Sequence, residues 1–209
     1  LAHERGIQTT VIPVTSVTPA AALIRWTPSH RRRDTARLIQ VATLSRLKNQ
    51  LLLIEALPIV RERVDVHLDL VGEDLLGGVL QAHALALGVG DRVTFHGRQT
   101  QERVHDLLSN ADVYVQTSLH EASNVAVLEA AAHGVPTVGT LAGYVADWSP
   151  SKAVAVGDAI PESLADAIVT LLLDDDRRRS MATLARTFAI AHDATYAAAQ
   201  FDELYRSLV

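Results

Sequence analysis

Residues 112–140, DVYVQTSLHEASNVAVLEAAAHGVPTVGT, constrain the fold more than any other stretch of this chain. The run 113–117 is apolar, carries β-branched residues and contains Tyr114, which is the composition of a buried strand. A polar turn over 118–124 follows, and then an apolar helical run over 125–132. Ser123 or Asn124 supplies a side-chain oxygen that caps this helix by accepting from a free backbone N–H. Gly134 stands where a left-handed residue ends a helix, and Pro136 prevents continuation. A second strand begins over 137–139, so the unit reads strand, loop, helix, strand.

Glu129 is out of place in that unit. It is the only charged residue between Asn124 and Ala132. Val125, Leu128, Glu129 and Ala132 recur at helical spacing, so the carboxylate shares a face with apolar neighbours. A carboxylate in such a position is costly unless something satisfies it. Glu121 lies in the turn, where its side chain can look across the helix N-terminus. The residues alone leave two readings open: a Glu paired with a nearby Arg beside another exposed in a loop, or two carboxylates of one binding site.

Composition narrows the function classes. The 209 residues hold one large domain or a domain with appendages, and 48% hydrophobic content with 11 Gly suits a compact α/β protein. A net charge of −5 argues against a general nucleic-acid binder. No apolar run reaches the ~18 residues that span a bilayer, and no signal peptide is visible. The absence of cysteine excludes disulfides and thiolate metal sites and fits a reducing cytoplasm. Nine histidines include no His-x3-His or His-Glu-x-x-His pair, so a metal cluster is not expected. His96 and His120, near strand ends, are candidates for ligand contact, whereas His67 and His133 read as structural or exposed. The first residue is Leu, which fits a fragment or a processed chain.

Taken in order, residues 1–35 read as a linker, with a β-like run over 10–14 broken by Pro13 and basic Arg31, Arg32 and Arg33 as a solvated face. The domain proper begins with a strand over 36–44 and a helix over 50–63, in which Pro58 predicts a kink or an early end. Arg46 and Lys48 sit at the strand-to-helix turn, a suitable place for an anion, although a surface Lys and Arg beside a helix cap fit equally well. Strands over 66–71 and 92–95 and helices over about 75–87 and 101–108 come next. Gly72, Gly97 and Gly139 each follow a predicted strand, where glycine permits a sharp turn and close approach of a ligand. In an open parallel sheet those strand ends form the ligand crevice. A last strand over 153–156 and helices over 161–173, 177–191 and 196–208 complete the chain. There is no Gly-x-Ser-x-Gly elbow and no Walker loop, which removes the corresponding hydrolase and P-loop readings.

The segment 118–136, SLHEASNVAVLEAAAHGVP, resembles the donor-site motif of retaining GT-B glycosyltransferases, particularly glycosyltransferase family 4 (group 1). That pattern runs Ser-x-x-Glu-Gly-Phe-Gly/Pro-x-x-x-x-Glu-Ala-x-Ala-x-Gly-x-Pro, and the chain departs from it at Ala122, Ser123 and Asn124. Further resemblances lie at Lys48 and Asn49 (family Gly-Arg-Leu-x-x-x-Lys-Asn, with Ala42 and Thr43 in place of Gly and Arg), at Val71, Gly72 and Glu73, and at Phe95, His96 and Gly97. A weaker one at 11–17 is similar to the segment joining the two GT-B domains.

The resemblance implies a doubly wound, Rossmann-like α/β domain over 36–190, the C-terminal half of a GT-B fold. A final helix over 191–209 would pack back toward an N-terminal acceptor domain that lies upstream and outside this chain. It implies Lys48 at the leaving diphosphate, with Arg46 reaching the phosphates in place of the missing Arg. Glu121 would sit at the donor sugar and Glu129 at the ribose hydroxyls. Donor contacts follow at Gly72, Ser123, Asn124 and Val125, with Gly97, Arg98 and Thr100 in the loop at the nucleotide base. The implied substrates are a nucleotide-sugar such as a UDP- or GDP-sugar and a hydroxyl acceptor, with no metal and no other cofactor, in the cytoplasm. Two alternatives stay open, a non-catalytic nucleotide-sugar-binding module and a nucleotide-sugar epimerase of GT-B architecture.

Overall fold

The computed structural model describes residues 34–207. The segment 11–17, Arg31 to Arg33 and the last two residues lie outside them, and with them most of the expected linker. Six strands form one parallel sheet: β1 (Ala36–Val41), β2 (Val66–Val71), β3 (Val93–Gly97), β4 (Val113–Gln116), β5 (Thr137–Thr140) and β6 (Ala153–Val156). Their spatial order is β3-β2-β1-β4-β5-β6. The chain therefore winds outward one way from β1 to β3, returns, and winds the other way from β4 to β6. The reversal falls between β1 and β4, where Leu38 pairs with Val113 and Ile39 with Tyr114.

Parallel strands need long crossovers, and the helices supply them. They are α1 (Gln50–Arg61), α2 (Val79–Ala86), α3 (Gln101–Ser109), α4 (Val125–Ala132), α5 (Tyr144–Trp148), α6 (Pro161–Leu173), α7 (Asp175–Ala191) and α8 (Ala194–Ser207). Covering both sheet faces gives two apolar clusters. One joins Leu38, Leu68 and Leu70 to Leu53, Ile54 and Leu57 of α1 and Ile168 of α6; the other joins Ile39 and Tyr114 to Leu128 and Ala131 of α4 and Ala185 of α7. Burial of each large aliphatic side chain contributes about 1.5–3 kcal/mol.

Helix α1 runs on past Pro58 and ends at Arg61, short of the expected 63. Leu53, Ile54, Leu57 and Val60 are wholly buried around it, and that packing outweighs one missing hydrogen bond. Helix α2 starts at Val79 rather than near 75. The Asp74 carboxylate accepts from the backbone of Leu76 (2.7 Å) and Gly78 (2.9 Å), which holds the intervening residues in a turn with Gly77 and Gly78 at φ 62° and 86°. Helix α5 has no side-chain cap and no periodic run that announces it in the sequence.

Candidate functional site

Open parallel sheets bind ligands beyond the carboxyl ends of their strands, at the point where strand order reverses. Here that point is flanked by the loop 42–49 after β1 and the loop 117–124 after β4. The two loops are tied together by backbone, with Leu119 N–H donating to Leu47 O at 2.9 Å.

Lys48 comes from the first loop and Glu121 from the second. Lys48 Nζ lies 2.5 Å from Glu121 Oε1, with the lysine side chain 24% exposed and the glutamate side chain 8%. The same carboxylate oxygen accepts from Ser118 Oγ at 2.6 Å and from Asn124 Nδ2 at 3.4 Å. Asn124 is a double anchor, because its Oδ1 also accepts from Ala126 N–H at 3.1 Å and caps α4. Of the two candidate caps, Asn124 takes the role. Gly143 (φ 52°) brings the loop after β5 against this group, and a Cβ there would meet Glu121 Cβ at 2.9 Å.

The position of Lys48 rests on buried polar groups of the sheet. Thr117 Oγ donates to Lys48 O at 2.8 Å, and Gln40 Nε2 approaches both Lys48 O (3.5 Å) and Thr117 Oγ (3.3 Å). Gln50 spans the loop, accepting from Ser45 N–H and donating to Thr43 O. Asn49 then takes a left-handed conformation, φ 49°, which asparagine tolerates better than most residues. Gln40, Gln50 and Thr117 are each at most 2% exposed. The sequence alone gives them no role, and the one signal it offers is a glutamine inside the strand run RLIQVATL.

Glu129 projects from α4, whose neighbouring Leu128, Ala130 and Ala132 are buried. Its carboxylate accepts no hydrogen bond and joins no ion pair among the described residues. Burial pushes its pKa up, and the nearby His105 only tempers the rise. One turn later His133 donates to or accepts from Ser109 Oγ at 3.0 Å, and its ring lies 5.0 Å from that of His105. Burial, aided by His105 and Arg186, lowers the His133 pKa to about 4, so this ring is neutral near pH 7.

Other expected contacts are differently placed. Arg46 and Arg98 are exposed. Thr100 caps α3 by accepting from Arg103 N–H at 3.3 Å, so its hydroxyl has a structural task. Gly97 turns with φ 65° and its carbonyl accepts from Gly72 N–H at 2.9 Å. At Gly72 a Cβ would sit 2.0 Å from Ala42 O, so close approach of β1 and β2 by itself explains the glycine. At Gly139 a Cβ would likewise meet Gln116 O. Ser123 is partly buried, and Val125 opens α4. His96 is engaged with Asp69, at 2.7 Å, beside Arg37, at 3.1 Å, which gives it a structural partner within the sheet. His120 is exposed. Among the described residues no helix is long and apolar enough to cross a membrane.

A family model described as glycosyl transferases group 1 matches residues 26–188. The chain belongs to the group 1 glycosyltransferases. Among proteins of this family it is 30% identical to the D-inositol 3-phosphate glycosyltransferase of Corynebacterium urealyticum, over 98% of this chain and 54% of that protein. It is 29% identical to the enzyme of the same name from Paenarthrobacter aurescens, over 91% of this chain and 51% of that one. The chain thus spans about half the length of these curated relatives. Its fold matches a glycosyltransferase from Rickettsia africae (TM-score 0.80, 16% identity, 95% of this chain and 56% of that one). It also matches Anabaena HepE in complex with UDP and glucose (TM-score 0.75, 24% identity, 83% and 49%). These likenesses establish that a group 1 chain of this sequence adopts the Rossmann-like half of a GT-B fold.

Proposed function

We propose that this chain is the donor-binding half of a retaining, nucleotide-sugar-dependent glycosyltransferase. The observation that carries the reading is the Lys48–Glu121 pair at the strand-order reversal, followed on α4 by the half-buried Glu129, which has no hydrogen-bond or ion-pair partner among the described residues, in a chain of the group 1 family. Glu129 takes the two ribose hydroxyls, since vicinal O–H donors match the two oxygens of one carboxylate. Glu121 meets hydroxyls of the donor sugar. Lys48 stabilises the negative charge that builds on the leaving diphosphate, an electrostatic task requiring no proton transfer by the protein. The donor is a nucleotide-sugar of the UDP or GDP type, the acceptor a hydroxyl group, and no metal or further cofactor takes part. HepE, whose fold is similar, binds UDP and glucose, which supports the substrate class.

Catalysis in this reading needs a second domain, outside this chain, that fixes the acceptor and closes the cleft against water. The exposed Phe201 and Tyr205 of α8 support a face directed toward it. The cytoplasm, source of nucleotide-sugars, is the location that fits. A panel of UDP-, GDP- and ADP-sugars screened by thermal shift tests the proposal, because a ligand that binds only the folded state raises stability. One donor should stabilise the chain, and Glu129→Ala should weaken it by about 1.5–3 kcal/mol, the range for hydrogen bonds to a charged group. With acceptors added, mass spectrometry should show no product from the isolated chain. Failure of every donor to bind, or turnover near ~1 s⁻¹ by this chain alone, overturns the reading.

A further inference from the structure

The Lys48–Glu121 pair sets a condition on any ligand that needs either member. Among the described residues Glu121 is the hydrogen-bonding partner of the Lys48 ammonium. A diphosphate cannot take up the ammonium without competing with that carboxylate. Both loops are anchored independently of the pair, Lys48 through its carbonyl on Thr117 and Glu121 through Ser118 and Asn124. Separating the pair therefore calls for rotation of the lysine side chain and no movement of backbone. Once Lys48 leaves, Ser118 and Asn124 still hold Glu121 Oε1 in place, and the carboxylate keeps two neutral donors but loses its counter-charge.

We propose that the Lys48–Glu121 ion pair discriminates between an intact nucleotide-sugar and a sugar-free nucleoside diphosphate. The proposal rests on the nucleotide-sugar reading given above. A nucleoside diphosphate draws Lys48 away and leaves Glu121, 8% exposed, with the neutral donors Ser118 and Asn124 but no cation. A partly buried carboxylate stripped of its cation is costly. An intact nucleotide-sugar draws Lys48 away in the same manner but presents sugar hydroxyls to the freed carboxylate. Substrate and product then differ in affinity by the difference between a satisfied and an abandoned Glu121. The pair favours loading of the donor and ejection of the spent diphosphate, so Glu121 determines specificity through its resting partner as well as through the sugar.

A double-mutant cycle on the whole chain tests this, with dissociation constants for UDP, GDP and ADP and for the corresponding nucleotide-glucose. Glu121→Gln keeps an acceptor oxygen for Ser118 and Asn124 but releases Lys48. It should bind its preferred nucleoside diphosphate roughly three- to fivefold more tightly than wild type, the size of a partly exposed ion pair. It should bind the matching nucleotide-glucose more weakly. In a Lys48→Ala background the same substitution should leave diphosphate affinity unchanged, because no pair remains to be broken. An equal gain in both backgrounds would mean general relief of negative charge near the ligand and would overturn the proposal. Weaker diphosphate binding by Glu121→Gln would overturn it as well. Glu121→Asp, which keeps the charge but shortens its reach, supplies the same comparison if the Gln variant is unstable. Should wild type bind none of these nucleotides, the nucleotide-sugar reading itself falls, and the discriminator with it; binding that is lost in Lys48→Ala shows that reading standing whichever way Glu121 behaves.

Discussion

Glu129 and His133 lie one turn apart on α4 and respond to burial in opposite directions. For the carboxyl, burial favours the neutral form, so its folded pKa stands above the ordinary 4.5. As pH rises from 4.5 through that raised value, the unfolded chain gives up its proton first, and stability falls. For the imidazole, burial also favours the neutral form, which lowers the folded pKa from 6.5 to about 4. As pH falls from 6.5 toward 4 the unfolded chain takes up the proton first, and stability again falls. The two contributions oppose each other across the acidic range. In Glu129→Gln only the histidine contribution remains. Its melting temperature, followed by circular dichroism without ligand, should rise more steeply with pH than that of wild type and reach at least the wild-type value at pH 7. Parallel profiles would show that Glu129 carries no burial penalty, and its assignment as a ligand-satisfied carboxylate would lose its physical basis.

Helix α4 is short, and its start is coupled to the site through Asn124, which caps Ala126 N–H and also donates to Glu121. Loss of a cap costs about 0.5–2 kcal/mol. Asn124→Ala should lower stability in urea by about 1 kcal/mol while changing the unfolding slope little. If stability is unchanged, another group takes over the orphan N–H, and α4 is not held from its N-terminus. This helix also shows what could be read from sequence. Its bounds, Val125–Ala132, follow from the apolar run between Asn124 and Gly134, and those of β2 and β6 follow equally from short apolar runs. Helix α5 escaped because it is five residues long and begins after Gly143 with no side-chain cap, so neither periodicity nor a start signal marks it. Tyr144 and Trp148, one turn apart with rings 5.1 Å from each other, were the faint trace it left. At Pro58 a local rule met the tertiary packing of α1 on α6, and the helix runs past the proline to end at Arg61.

Across the whole molecule, the doubly wound class was legible only through the family motif and the strand order not at all, since periodicity does not say which strands are neighbours. The Lys48–Glu121 contact was not legible at all. Its members are 73 residues apart, and nothing local to either specifies that they meet. They meet because β1 and β4 lie side by side at the centre of the sheet, although β2, β3 and three helices intervene in the chain. That layout has a kinetic consequence. Pairing of β1 with β2 closes a much shorter loop than pairing of β1 with β4, and loop closure must precede any contact that rewards it. The crevice is then expected to form only when the two halves of the sheet dock, so the proposed nucleotide should find nothing to recognise earlier in folding. A ligand gripping Lys48 on one side and Glu129 on the other should therefore slow unfolding while leaving the refolding rate alone. In stopped-flow chevrons, saturating donor should lower the unfolding limb and leave the folding limb superimposed; a faster folding limb would mean that the two halves are already joined at the rate-limiting barrier. Superimposed folding limbs would make the ligand a latch on a finished assembly, with no part in guiding it together.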